Sequence, residues 1–597
     1  MSGERLWPAI LLAWGLAGSV LCFALWSTIA RLQFPDADDA MRLLQVRDWL
    51  AGQSWWDVAQ HRLNGGFYPM HWSRLVDLPL AALMLVFDPL VGTALSTRIA
   101  LTAVPMLTLL AAIAATARLA CRLSDAETAR LSMLLAPLSI PILYQLRPLR
   151  IDHHGWQIVL AVTAVALLLG PPTWRRGAWA GVSLATLVTV SMEGLPIAAV
   201  VAGVAALAWA FEPQRRGFLV ALIGSFFVAA LGYHVGTRGP GMFADACDAI
   251  SPAWLAVLGV AAATVTGATA VAPAARASRI ALLVACGAAS VATLAIAAPA
   301  CLAGPFASLD PLVRTIWYEN VSEGLPIWQQ SAAWAVITIA LPLVGLAGSV
   351  RALRGSLGEA RTRWLMLLGV LGPAILLACL VNRAGATANA LALPGAASLL
   401  LAMLTRARAI PALVPRVAAT AGALVVASPG LSAGAAMSIV TASTPAEPVI
   451  ATVDGSGRAT CDTFDQIRVL GTLPAATVFL PLDLTPDLIA TTGHHAISGG
   501  YHRNAAAMHR VLAVFTGTPA TAERLVRQSG ATYVAGCPSL NETELYKKVA
   551  PNGFWARLER GERIAWLQPV PLPGSPVLAW RVLGSSRKPL SPGPSAH

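Results

Sequence analysis

The stretch RIALTAVPMLTLLAAIAATARL, residues 98–119, has arginines at Arg98 and Arg118 and no charged side chain between them. As a helix rising 1.5 Å per residue, such a run is about 30 Å long, which matches the hydrocarbon core of a bilayer. Working outward, apolar segments of the same character fall near residues 7–30, 127–145, 155–170, 177–192, 195–211, 217–236, 253–273, 279–299, 332–350, 364–381, 386–404 and 410–430. Several hold only about 16–18 residues, the lower limit for a crossing helix. They predict an α-helical polytopic membrane protein with about thirteen transmembrane helices. Composition agrees. The chain has 597 residues, 56% hydrophobic and 12% charged, with a mean hydropathy of +0.64, whereas soluble domains carry roughly 25% charged residues. No single soluble core hides that much apolar surface. The run from Trp7 to Ala30 exceeds the roughly 7–15 apolar residues of a cleaved signal peptide and reads as an uncleaved first helix.

The net charge of +12 does not point to nucleic acid, because the arginines fall in short clusters between apolar runs and form no aromatic-interleaved stripe. The clusters are Arg118, Arg122 and Arg130; Arg175 and Arg176; Arg215 and Arg216; Arg276 and Arg279; Arg351, Arg354, Arg361 and Arg363; and Arg406 and Arg408. Every alternate connection holds one, which places the N-terminus in the cytoplasm. An odd number of spans then exports the tail, to the periplasm if the membrane is a bacterial inner membrane. Residues 1–440 form the membrane domain and 441–597 the exported one. In the tail, Ala476–Leu480 reads as a strand, Thr521–Ser529 as a helix and Thr532–Ala535 as a strand, giving a small soluble α/β domain. Ser585–His597 is rich in Ser and Pro and reads as disordered. The eight cysteines match no metal spacing; Cys22, Cys121, Cys286 and Cys379 lie in or beside apolar runs, and an exported tail permits a Cys461–Cys537 disulfide.

Three acidic clusters lie in exported loops: Phe34-Pro-Asp-Ala-Asp-Asp-Ala-Met-Arg42, Arg150-Ile-Asp-His-His-Gly155 and Trp317-Tyr-Glu-Asn-Val-Ser-Glu-Gly-Leu-Pro326. Taken singly, each reads equally as a solvated loop. Their shared side of the membrane makes Asp36, Asp38, Asp39, Asp152, His153, His154, Glu319 and Glu323 candidates for one site. Carboxylates with a histidine suit Mg²⁺ or Mn²⁺, a divalent cofactor that neutralises a departing phosphate. Glu193, in Ser191-Met-Glu-Gly-Leu-Pro196, is too near a helix end to support a transporter, whose ionisable groups lie near the bilayer midplane.

At these motifs the sequence resembles a family. Asp152-His153-His154 resembles the Asp-His-His motif of archaeal oligosaccharyltransferase catalytic subunits, and Asn320-Val-Ser-Glu323 is similar to the Ser-Val-Ser-Glu motif of their eukaryotic relatives. Asp38 stands at the place of the family's first catalytic aspartate, with Asp36 and Asp39 as rivals. Thirteen spans and an exported tail match the family's GT-C architecture. The resemblance implies that Asp38, Asp152 and His154 hold the metal and that Asp38, Asp152 and Glu323 are catalytic, Glu323 on the acceptor side. It also implies that Arg383, in Asn382-Arg-Ala-Gly385, and His71, in Tyr68-Pro-Met-His-Trp72, meet the phosphates of a polyprenyl-linked donor.

The sequence departs from the family in its tail. The Trp-Trp-Asp-Tyr-Gly signature that binds the Ser or Thr of a sequon is replaced by Leu480-Pro-Leu-Asp-Leu-Thr485, ahead of Thr492-Gly-His-His-Ala-Ile-Ser-Gly-Gly-Tyr-His502. His494, His495 and His502 are candidate glycan or acceptor contacts. The expectation is a metal-dependent membrane glycosyltransferase that moves a sugar or oligosaccharide from a polyprenyl-(pyro)phosphate donor to an acceptor at the exported face. Its partners are that donor, membrane lipids and an unassigned protein, lipid or polysaccharide acceptor, without nucleic acid. A lipid- or polysaccharide-modifying enzyme is the first alternative, and a transporter or flippase the second.

Overall fold

The computed structural model describes residues 6–431, 433–434, 438, 464–538 and 540–584. All thirteen apolar segments are helical. In chain order they begin with α1 (Trp7–Ala24), after which the long first loop contributes α2 (Ala37–Leu50) and α3 (Arg74–Val91). Then come α4 (Thr93–Leu123), α5 (Ala126–Leu135), α6 (Ile140–Leu146), α7 (His154–Leu168), α8 (Trp174–Val190), α9 (Leu195–Phe211), α10 (Arg216–Arg238), α11 (Pro252–Val271) and α12 (Arg276–Ala297). The last helices of this half are α13 (Ala332–Arg354), α14 (Gly358–Leu380), α15 (Gly385–Arg408) and α16 (Leu413–Ala427). Among the described residues nine helices are long and apolar enough to cross a membrane, or ten if the bent α5–α6 pair is one span. That pair turns by 70° at Ser139, which is extended. Pro137 and Pro141 flank the break, and neither can donate a helical hydrogen bond. Helices α7 and α16 have only 15 residues each, whereas α4 has 31, about 46 Å of helix.

Close crossings rely on glycine. On α8, a Cβ at Gly177 or Gly181 would overlap the Phe218 and Leu222 carbonyl oxygens of α10. On α13, Gly345 and Gly348 lie against Ala392 and Gly395 of α15. In lipid, where water does not drive helices together, such small-residue seams let backbones approach and gain dispersion contact.

The tail forms a five-stranded sheet of β1 (Thr477–Phe479), β2 (His495–Ala496), β3 (Tyr533–Gly536), β4 (Leu567–Val570) and β5 (Leu578–Val582), ordered β2-β1-β3-β5-β4. β1 runs parallel to β2 and β3, and β5 antiparallel to β3 and β4. Between the strands lie α17 (Thr485–Thr491), α18 (Ala505–Thr516), α19 (Pro519–Gln528) and α20 (Asn541–Val549). The expected strand, helix and strand of the tail are thus β1, α19 and β3. Cys537 is disulfide-bonded; Cys461, Ser585–His597 and the 440/441 boundary lie outside the described residues.

The tail does not pack alone. Ala496 N donates to Arg62 O at 2.9 Å and Asn64 N to Ala496 O at 3.0 Å, so the first loop extends the sheet beyond β2. Leu63, Tyr68, Met70 and Trp72 are buried with Val478, Leu480 and Leu488. Leu309, Val313 and Ile316, from the loop before α13, are buried with Val511, Leu512 and Phe515. Each such side chain contributes about 1.5–3 kcal/mol relative to exposure, enough to fix both loops on the tail.

Candidate active site

The site begins at the first turn of α2. Asp36 caps it, its Oδ1 accepting from Asp38 N at 3.0 Å. The helix is anchored by Asp77 of α3, which pairs with Arg42 at 2.9 Å and Arg74 at 3.2 Å and accepts from Gln45 Nε2 at 2.6 Å. Asp39 points inward and is fully buried. It accepts from Ile151 N at 2.7 Å, Asp152 N at 3.1 Å and Arg150 Nη1 at 3.2 Å. Asp39 therefore moulds the 150–152 loop. Leu149 supports the loop from behind, held at a left-handed φ of 69° with its N–H on Leu101 O at 3.0 Å, a conformation that costs a non-glycine residue about 1–2 kcal/mol.

Asp38, one residue earlier and about 100° round the helix, accepts no hydrogen bond among the described residues. Burial first, then Asp36, Glu323 and Asp152, push its carboxyl well above the ordinary range. Burial likewise pushes Asp39 up to about 8, against Arg150. Asp152 goes the other way: against burial, Arg150, His154 and His153 hold its carboxyl below the ordinary range. Arg150 bridges the acids, 3.0 Å from Asp36, 2.7 Å from Asp152 and 3.7 Å from Glu323.

His154 opens α7, its N–H on Asp152 Oδ1 at 3.0 Å. Its Nε2 lies 3.6 Å from Asp152 Oδ2 and 3.9 Å from Glu323 Oε1. Its Nδ1 lies 3.2 Å from Gln157 Oε1. Glu193, between α8 and α9, is 3.7 Å from His153 and 3.8 Å from His154. Arg383 then ties Glu193 at 2.9 Å to Glu323 at 3.3 Å. The 381–384 turn that carries Arg383 is fixed by Asn382, whose N–H donates to Leu325 O at 3.1 Å and whose Oδ1 accepts from Thr338 at 2.7 Å.

The site thus brings together Asp36, Asp38, Asp39, Asp152, His153, His154, Glu323 and Arg383. It excludes Glu319, which is exposed. His71 belongs to a neighbouring cluster, 3.7 Å from Asp248. Asp248 also meets His502 at 2.9 Å and both Nε and Nη2 of Arg503, at 2.8 and 2.7 Å. This clamp joins the tail to the membrane half beside the Cys247–Cys301 disulfide. His494 is no acceptor contact: it is buried, with Nε2 on Leu470 O at 2.7 Å. Asp248 and the Cys247–Cys301 pair escaped the sequence reading, and Glu193, which counted there only against a transporter, was not placed in the site, although all lie in connections on the acid-bearing side of the predicted topology.

The donor chemistry fits a divalent ion. Six carboxylates (Asp36, Asp38, Asp39, Asp152, Glu193 and Glu323) share three guanidiniums (Arg147, Arg150 and Arg383), a crowding of acids that a cation would relieve. Asp152 Oδ2 is buried against Arg150 at 2.7 Å, and His153 Nε2 is buried 3.7 Å from Glu193, so both ligand atoms are aimed into the cluster. The sets whose ligand atoms lie within 4.8 Å of one another are His153, His154 and Glu193, and His71, Asp248 and His502. Of the expected ligands Asp38, Asp152 and His154, only His154 belongs to one of these groups among the described residues.

No protein-family model matches the chain, and no curated protein is significantly similar in sequence. Solved structures are similar. The Archaeoglobus fulgidus oligosaccharyltransferase AglB, in complex with an inhibitory peptide and a dolichol-phosphate, superposes with a TM-score of 0.64 at 15% identity, covering 95% of this chain and 73% of that one. The chain has the GT-C fold. The same enzyme tethered to an acceptor peptide containing the NVT sequon gives 0.65 at 14% identity, covering 93% and 72%. Its complex with Zn and sulfate gives 0.56 at 14% identity, covering 88% and 68%. Within the GT-C fold, the acid cluster lies where the first loop, the α6–α7 turn and the loop before α13 meet.

Proposed function

We propose that this chain is a membrane glycosyltransferase that uses a polyprenyl-phosphate or polyprenyl-pyrophosphate donor at the face carrying the acid cluster. The observation that carries the reading is the convergence of Asp38, Asp152 and Glu323 with Arg383, which reaches Glu193 at 2.9 Å and Glu323 at 3.3 Å. Asp38, Asp152 and His154 would hold a divalent ion, which supplies Lewis-acid stabilisation of the departing phosphate. The acceptor nucleophile attacks the anomeric carbon as the bond from that carbon to the phosphate oxygen breaks. Arg383 meets the developing phosphate charge, a donor placed where negative charge grows. Glu323 orients the acceptor and takes its proton. Asp39, Arg150 and Leu149 hold the loop in place and contact no reacting atom.

Support for an exported site comes from the Cys247–Cys301 bond at the same end, since disulfides persist in oxidising compartments. The cytoplasmic N-terminus, periplasmic tail and bacterial inner membrane remain part of this proposal. A reporter fused near residue 450 that worked only in the cytoplasm would overturn the orientation. The acceptor is a lipid, a polysaccharide or a protein recognised other than by a sequon, because Pro481-Leu482-Asp483 offers neither indole donors nor an aromatic wall. The experiment is purification with the co-purifying lipid identified by mass spectrometry, followed by an assay of sugar release with and without Mg²⁺, Mn²⁺ or Zn²⁺. Metal-dependent release lost in Asp152→Ala supports the reading. A protein that carries no polyprenyl lipid and releases no sugar refutes it. Transfer to an Asn-x-Thr peptide, lost when Thr becomes Ala, refutes the acceptor assignment.

A further inference from the structure

Tyr501 stands in the tail segment that faces the acids. It is only 4% exposed, yet its hydroxyl has no hydrogen-bond partner among the described residues. The ring is locked edge-on against Trp72, at 5.5 Å between centroids, and Tyr68, at 6.4 Å. Its carbonyl oxygen accepts from Tyr68 Oη at 2.7 Å, and the next two residues are the His502–Arg503 clamp on Asp248. A buried phenol held this firmly and left without an acceptor costs about 1–3 kcal/mol unless a ligand completes it. The charges it faces are Asp38, Asp36 and Asp487, which together with burial keep it a hydrogen-bond donor at any physiological pH.

Around it, the tail adds an acidic wall. α17 packs on α2, bringing Asp483 and Asp487 into the field of Asp36. The Asp483 turn is pinned from behind by Glu542, which accepts from Leu482 N at 2.9 Å and Asp483 N at 2.8 Å, so its exposed carboxyl is aimed rather than loose. The cations near the site are Arg383, which pairs with Glu193 and Glu323, and Arg238, which donates to His71 O at 3.2 Å. Phosphate is therefore favoured beside those cations and repelled by the acidic wall.

We propose that Tyr501 orients the acceptor, and that the acceptor is a neutral or amino-bearing glycan without phosphate, seated on Asp36, Asp483 and Asp487. This rests on the glycosyltransferase reading above. The Tyr501 hydroxyl donates to the attacking acceptor oxygen and takes no proton. The new bond forms from that oxygen to the anomeric carbon, the bond to the donor phosphate breaks, and the acceptor proton goes to Glu323.

The test uses the full-length protein in nanodiscs with its co-purified lipid. Saturation-transfer NMR is run with maltotriose, a glucosamine trimer and maltotriose phosphate, while sugar release to water is followed separately. Saturation of the first two and none of the phosphate is expected. Tyr501→Phe should lower it about three- to tenfold, the size of one neutral hydrogen bond, and Asp487→Asn should let the phosphorylated trisaccharide bind. Equal binding of the phosphorylated sugar by the unsubstituted protein, binding of none of the three, or an unaltered Tyr501→Phe would overturn the proposal. So would a fall in sugar release as large as the fall in binding, the mark of a structural role. Absence of sugar release from the unsubstituted protein refutes the glycosyltransferase reading instead, and the NMR arms still decide the recess.

Discussion

Asp38 and Asp39 are adjacent and chemically identical, yet the same substitution should have opposite consequences at the two positions. In Asp39→Asn, one oxygen still accepts from Ile151 N and Asp152 N, now 2.7 and 3.1 Å away. The other becomes an amide donor facing Arg150 Nη1 across 3.2 Å. A hydrogen bond to a charged group is worth about 1.5–3 kcal/mol, and a buried donor left facing a donor costs about 1–3 kcal/mol more. Arg150 keeps Asp36 at 3.0 Å and Asp152 at 2.7 Å, so the low ends apply and sum to about 2.5 kcal/mol. At tenfold per 1.4 kcal/mol, the 150–152 loop should open about sixtyfold more often. Hydrogen exchange of a peptide covering residues 149–156 reads this directly. Asp38→Asn removes a carboxylate that accepts no described hydrogen bond and is crowded by like charges, so its stability should change by less than about 0.5 kcal/mol. Sugar release should nevertheless vanish. Equal loss of protection in both variants, or none in Asp39→Asn, would refute the division of labour between a moulding and a reacting aspartate.

Three further outcomes are expected. Breaking Cys247–Cys301, which closes a separation of 54 residues, removes at most about 4 kcal/mol of loop-closure stabilisation; melting of the Cys247→Ser, Cys301→Ser protein should fall, and thiol labelling at Cys247 and Cys301 themselves, read by peptide mapping, should require reductant. Gly348→Ala drives a methyl into the Gly395 carbonyl and should cost about 3 kcal/mol or more, seen as lost monodisperse protein, whereas Gly372→Ala, with open space around it, should be tolerated. In the tail, burial and then Asp483 push Glu542 up to about 8, and burial pushes Asp487 up to about 7. Both folded values lie above the unfolded value near 4, so their stabilisation is complete below about pH 4 and is lost as pH rises towards 8. Tail exchange protection should fall from pH 5 to pH 8, and Glu542→Gln should flatten that fall.

The spans were legible because a bilayer demands long apolar runs: all thirteen runs are helical, and among the described residues nine of them, or ten with the bent pair, are long and apolar enough to cross. The Asp152, His154, Glu323 and Arg383 motifs were legible because acids and cations stand out against apolar sequence. What sequence did not reveal depends on tertiary contact. Nothing in Asp36-Ala-Asp-Asp39 says which carboxylate turns inward; only the Ile151 and Asp152 amides decide it. Leu149 has a side chain that ordinarily avoids positive φ, so its role in the turn is invisible in composition. Glu193 and Asp248 lie in short connections between apolar runs, where a lone acid reads as a solvated helix end. The first loop reads as an exported linker, yet its Leu63 and Tyr68 complete the core of the tail.

The clamp of Asp248 on His502 and Arg503 also sets an order of events during synthesis. The ribosome delivers Asp38 and Asp152 early, Glu323 and Arg383 much later, and Tyr501 with the clamp residues nearly last. A nascent chain whose membrane half is already inserted therefore holds an acid cluster still open to water on the side the tail will cover. Under the proposed reading, lipid-linked sugars diffusing past that half-made protein meet no closed pocket. On that reading, with the tail exported, competence arrives only when the tail has crossed the membrane, folded and seated itself on Asp248, so translocation of the last segment would act as the safety catch on the chemistry of the first.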